Sequence, residues 1–213
     1  MHRRIIALFA VLLAGTAAAQ AAASSLTGAE SHPARRHRVA SAGATGGGIE
    51  GQTIFRAHLG FSAPTGTFGD VYDSGPGFGG SIGYGVSRKV LLSFDVAYHH
   101  FDNHFLSNRD ASITPLTVGA DVILPTSGKV KPWIGGGIGM YHVRETTDVD
   151  VGGLLQSRSV SEDNAGVNFG MGIGAPISPR TLVGAGVKFH QVWGNDFIDT
   201  PFFTFQMGFG FVL

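Results

Sequence analysis

The chain has 213 residues, only 14% of them charged, with 15 Lys and Arg set against 15 Asp and Glu and no cysteine. This balance excludes a strongly basic nucleic-acid binder, and the missing cysteines exclude disulfide scaffolds and thiolate metal sites. The charged fraction is well below the roughly 25% of soluble domains, which points away from a surface covered by water on all sides.

Residues 1–21 read as a secretory signal peptide. Arg3 and Arg4 precede an apolar run from Ile5 to Leu13 and then an Ala-rich stretch, with cleavage expected between about residues 19 and 23. The run is too short for a transmembrane helix. Residues 22–51 are rich in Ala, Gly and Ser, carry the basic cluster Arg35-Arg36-His37-Arg38, and show neither a helical nor a strand period. They are expected to form a flexible periplasmic arm.

From residue 52 to 213 the pattern changes to repeated alternation. Eight strands are expected near 53–63, 77–87, 90–101, 112–124, 132–144, 165–176, 181–193 and 202–213. The last is the clearest. Phe203, Phe205, Met207, Phe209, Phe211 and Leu213 share one face, while Thr204, Gln206, Gly208 and Gly210 share the other. Strands of this length and alternation suit an all-β, eight-stranded antiparallel up-and-down transmembrane β-barrel, apolar outside and small or polar inside. A soluble barrel could carry the same alternation inside out, but its outer wall would then need many Lys and Glu. Here the polar wall is mostly Gly, Ser and Thr.

The connections alternate in length. Long ones are expected at 64–76, 102–111, 145–164 and 194–201, and shorter turns near Arg88, at 125–131 and at 177–180. Charge divides the same way. The long connections hold Asp70, Asp73, Asp102, Asp110, Glu145, Asp148, Asp150, Glu162, Asp163, Asp196 and Asp199, whereas the short turns hold Arg88, Lys89, Lys129, Lys131 and Arg180 without an acid. Two readings stand for the acids: solvated loops, or a contact with divalent cations bridging lipopolysaccharide through Asp148, Asp150, Glu162 and Asp163.

On the inner wall, Arg56, His58, Asp95, His99, Asp121, Lys188 and His190 form the candidate site. Charges of both signs are expected to pair across the lumen, because an unpaired buried charge is costly. Such a network either plugs the barrel or lines a narrow polar path. In the fifth strand Ile134, Ile138 and Met140 are placed outward, Gly135, Gly137 and Gly139 inward, and Trp133 near the periplasmic rim. The glycine runs Gly135-Gly136-Gly137 and Gly77-Phe78-Gly79-Gly80 lie inside strand pattern, so no phosphate-binding turn is expected. His190-Gln191-Val192 lacks the serine of a His-x-Ser lipid deacylase, and no nucleophile stands next to a base in sequence. No catalytic residue, cofactor or resident metal is expected.

The signal peptide, the closing aromatic strand, the stretch Phe68 to Tyr98 and Lys131-Pro132-Trp133-Ile134-Gly135-Gly136-Gly137 together resemble the outer-membrane β-barrel domain family. Its small eight-stranded members include barrels of the OmpA, OmpX and OmpW type. The resemblance covers about residues 52–213 and is specific for architecture rather than activity. It implies the outer membrane of a Gram-negative-type bacterium, contact with lipid and lipopolysaccharide, and insertion by the barrel assembly machinery. It implies a non-enzymatic structural or surface-interaction role, or alternatively a narrow channel for small or apolar solutes. A monomer without nucleic-acid partners is expected. The peptidoglycan-binding domain of longer members does not follow the barrel in this sequence.

Overall fold

The computed structural model describes residues 48–106, 108–151, 154–194 and 199–213. Residues 1–47, read above as a signal peptide and most of an arm, lie outside the described residues. The strands are β1 (Thr53–Pro64), β2 (Gly75–Gly85), β3 (Val90–Asp102), β4 (Arg109–Ile123), β5 (Lys131–Val151), β6 (Leu154–Pro176), β7 (Thr181–Trp193) and β8 (Phe202–Val212). Each pairs antiparallel with its neighbours, and β1 pairs with β8 to close the barrel.

Strict alternation drives this closure. Every outward position must meet lipid and every inward one must fit a narrow interior, so a one-residue slip would turn charge into hydrocarbon. Phe55, Leu59 and Phe61 on β1 face out, as do Leu92, Phe94 and Val96 on β3 and the five apolar residues from Phe203 to Phe211 on β8. Phe61 stacks on Phe205 across the closing seam, with ring centroids 4.9 Å apart. The seam is thus sealed by outward aromatics as well as by backbone pairing.

The β2–β3 and β6–β7 turns use one chemistry. Ser87 Oγ accepts the Val90 N–H at 3.1 Å, and Ser178 Oγ accepts the Thr181 N–H at 3.0 Å, fixing a tight reversal. Residues 48–51, assigned above to the end of the arm, instead fold against the first of these turns. Gly51 N–H donates to the Gly85 carbonyl at 2.8 Å. One ladder has a lapse: β3 and β4 pair through Val96↔Leu116 and resume only at His99↔Ile113. Pro115 lies in the gap and has no N–H to give.

The largest departure from the sequence expectation is at 145–164. This segment is not a loop. β5 and β6 run on together from Met140↔Ala165 to Val151↔Leu154, forming a long hairpin beyond the barrel wall. Ser, Thr and Val alternate there with charges, which satisfies a two-stranded ladder with both faces in water but gives no apolar stripe to read in sequence. The long connection after β1 also contains a short helix, α1 (Gly66–Gly69). Gly66 enters it at φ 60, a left-handed conformation open to glycine at little cost.

Candidate functional site

Inward residues fall into layers along the barrel axis, from the end with short turns to the end with long connections. Nearest the turns is a cavity of about 670 Å³. Above it lies a layer of ion pairs. Arg56 on β1 is held between Asp121 on β4, with Nη1 to Oδ2 at 2.7 Å, and Ser81 on β2, which accepts from Nε at 2.8 Å. Lys188 on β7 meets Asp95 on β3 at 3.6 Å. Phe55 and Ala57, Phe94 and Val96, Ala120 and Val122, and Val187 and Phe189 flank these four charges in sequence. Period two therefore sends each charge inward as its neighbours go to lipid.

The next layer is built of hydroxyls and imidazoles. Ser62 Oγ lies 2.8 Å from His99 Nδ1 and 3.4 Å from Thr204 Oγ1. Tyr141 OH lies 3.1 Å from His190 Nδ1, and the two histidine rings are 5.7 Å apart. His190 stacks flat on Phe202, with centroids 4.5 Å apart and 2° between planes. His58 is half-buried between the two layers and lines the cavity.

Above the histidines the lumen is filled. Phe202, Phe101, Ile113 and Tyr141 have no exposed surface, and Val143 and Val192 complete the layer. Phe68 of α1 packs edge-on against Phe101 at 5.2 Å and brings Tyr72 in with it at 4.8 Å. Tyr72 OH then donates to Glu145 Oε1 at 2.8 Å, and Arg109 Nη2 donates to the other carboxylate oxygen at 2.5 Å. This clasp ties the first long connection to β4 and β5.

Burial and the hydrogen bond to Glu145 raise the Tyr72 phenol well above its ordinary value of 10.0. A raised folded value means that its contribution is complete below about pH 10 and is lost as pH climbs through the folded value. Absorbance titration at alkaline pH is expected to show the Tyr72 step only well above pH 10. Glu145→Gln is expected to bring that step down and to loosen the first connection, at a cost of about 1–2 kcal/mol. Unchanged titration in Glu145→Gln would contradict the clasp.

The structure thus places all seven candidate lumen residues inward, but in two separate settings. Arg56, Asp121, Lys188 and Asp95 form the charged layer with His58 beside it. His99 and His190 belong to the layer of hydroxyls and imidazoles above. His99 is buried and bonded to Ser62, a neighbour 37 positions away. That pair is also a nucleophile beside a base, which the sequence did not reveal. With Ser62 at 0% and His99 at 1% exposure, no substrate reaches it. Trp133 points inward over Gly172 and Gly186: a Cβ added at either would lie 2.8 Å from its Cζ2.

Of the four acids proposed as a cation contact, Asp148, Glu162 and Asp163 do not converge. Asp163 pairs with His142 at 2.8 Å, Asp148 accepts from Ser157, and Glu162 lies beside Asn164. The long hairpin sets Asp148 opposite Ser157 and Asp163 opposite His142, spreading the acids along two strands instead of folding them into a loop. The Asp150 side chain, like Asp196, lies outside the described residues. Among the described residues no three His, Cys, Asp or Glu side chains gather as a metal site.

Two solved structures share this architecture. Neisserial surface protein A is 19% identical, with 76% of this chain and 99% of that chain covered and a TM-score of 0.57. Outer membrane protein OprG from Pseudomonas aeruginosa is 16% identical, with 78% and 98% covered and a TM-score of 0.53. At these identities the likeness speaks for the fold alone. No curated protein sequence matches the chain. The family model described as outer membrane protein beta-barrel domain matches residues 7–211, nearly the whole length. With the closed eight-stranded barrel and its lipid-suited outer face, that match establishes that the chain belongs to the outer membrane protein beta-barrel domain family.

Proposed function

We propose that the protein is a non-enzymatic outer-membrane barrel with a structural or surface-interaction role, sealed at its outer end and presenting the β5–β6 hairpin. The observation that carries this reading is the fully buried layer of Phe101, Ile113, Tyr141 and Phe202 closing the lumen. A side-chain plug of this kind leaves no path for an ion, and eight strands leave little room to create one. Long connections lie on the outer side of such barrels and short turns on the periplasmic side, so the plug and the hairpin face outward. The buried Ser62–His99 pair supports a non-enzymatic role, since chemistry needs an approach for substrate.

Lipid and lipopolysaccharide are the natural surroundings of the aromatic outer wall, and the alternating final strand is the segment for the assembly machinery to read. The closed hydrogen-bond ladder leaves no edge within the wall that needs a second chain, so the barrel stands as a monomer. Reconstitution into planar bilayers tests the sealed lumen. A silent bilayer is expected. Discrete conductance steps that change in Asp95→Asn or Lys188→Met would instead support the narrow-channel reading.

A further inference from the structure

The cavity at the turn end has no part in the role proposed above, yet it is built in tiers. Its mouth is basic: Arg88, Lys89, Lys131 and Arg180 all line it, and no Asp or Glu side chain does so at that level. Glu50 comes no nearer to Arg88 than 4.0 Å, with both side chains largely in solvent. Inside the mouth the wall turns apolar, with Ile123, Trp133, Leu182 and Val212 half-buried. The base is the ion-pair layer, where Arg56 is matched by Asp121 and Lys188 by Asp95, so no net charge is added there.

The hollow exists because β6 and β7 send glycines inward at this level. Gly172 and Gly186 seat the Trp133 indole, and Gly174 opens onto free space: a Cβ there would meet only the Val183 carbonyl, at 3.7 Å. A cationic mouth over an apolar wall closed at its far end selects a ligand with one anionic head and one apolar body. The lumen of an eight-stranded barrel is wide enough for a single chain and not for a paired one.

We propose that this cup binds a fatty carboxylate, with its chain against Trp133 and Leu182 and its carboxylate at Arg88, Lys89 and Arg180. Entry is from the turn end, because the plug closes the other. The site is independent of any role of the hairpin at the opposite end.

Trp133 supplies the readout, since the other tryptophan, Trp193, can be removed as Trp193→Phe. That barrel is folded into phosphatidylcholine vesicles and titrated with 11-bromoundecanoate, whose bromine quenches indole on contact. Saturable quenching is expected, and 11-bromoundecanol, lacking the charge, is expected to bind about tenfold more weakly, as three exposed cations together would give. Gly174→Leu projects into the cup, its Cβ in ordinary contact with the Val183 carbonyl, and is expected to weaken the saturable phase. The triple change Arg88→Gln, Lys89→Gln, Arg180→Gln is expected to remove the preference for the carboxylate. Quenching that only grows in proportion to probe in the membrane, or that is absent, overturns the proposal. So does equal binding of alcohol and carboxylate, a comparison made on the otherwise unaltered barrel and so independent of whether the variants fold.

Discussion

Phe202→Ala is expected to lower the unfolding free energy by about 3–5 kcal/mol, the usual cost of truncating a buried aromatic. Phe202 has no exposed surface, stacks on His190 at 4.5 Å and meets Phe101 edge-on at 5.6 Å. Its removal leaves a void between the His99 and Phe101 rings of β3 and the His190 ring of β7, which the closed wall cannot collapse to fill. Urea titration of the barrel in lipid vesicles measures the loss. Combined with Phe68→Ala, which withdraws the ring above, the change is expected to turn a silent barrel into a conducting one. Phe202→Leu keeps most of the volume and is expected to stay silent at a cost below about 1.5 kcal/mol. Equal stability of Phe202→Ala and the native barrel would show that the aromatic layer is not packed as described.

Asp121→Ala is expected to have the next largest effect, about 3 kcal/mol, by leaving Arg56 charged and unmatched inside the wall. The two side chains are 29% and 14% exposed, so water in the cup softens the penalty and the lower end of the range applies. The informative comparison is the double change Arg56→Met with Asp121→Leu. Removing both charges in favour of apolar groups of similar volume is expected to recover most of the loss, since each charge is kept tolerable chiefly by the other. The Lys188–Asp95 pair, at 3.6 Å, is expected to show a smaller penalty for Asp95→Ala. Simple additivity of the Arg56 and Asp121 effects would mean that the two groups are separately solvated.

The strand phases were legible because lipid imposes them. Arg56, Asp95, Asp121 and Lys188 each sit between apolar neighbours, and only one phase keeps them out of hydrocarbon. Pairing across the lumen was legible to the extent that opposite charges were few. The partnership of Ser62 with His99, or of Tyr141 with His190, depends instead on the stagger between strands that closure sets, and alternation within a strand says nothing of stagger. Tyr141 does share the inward phase of Gly135, Gly137 and Gly139, so that parity carried to its end would have placed it inside. The 145–164 segment was misread as a loop for a related reason. Beyond the membrane neither face meets lipid, so Thr146, Asp148 and Ser157 can form strand without an apolar stripe. The acids of that hairpin, read together by their closeness in sequence, are separated by the very pairing that orders them.

Thiol accessibility at two neighbouring inward positions of β8 tests the sealed barrel most directly. The chain has no cysteine of its own, so single substitutions report alone. Gln206 lines the cup, whereas Thr204, two residues along the strand and about 7 Å away, lies in the buried layer just beneath the plug with 2% exposure. In the folded barrel a small charged methanethiosulfonate is expected to modify Gln206→Cys readily and Thr204→Cys only after unfolding. Modification of both at similar rates in the folded state would contradict a lumen closed at that level.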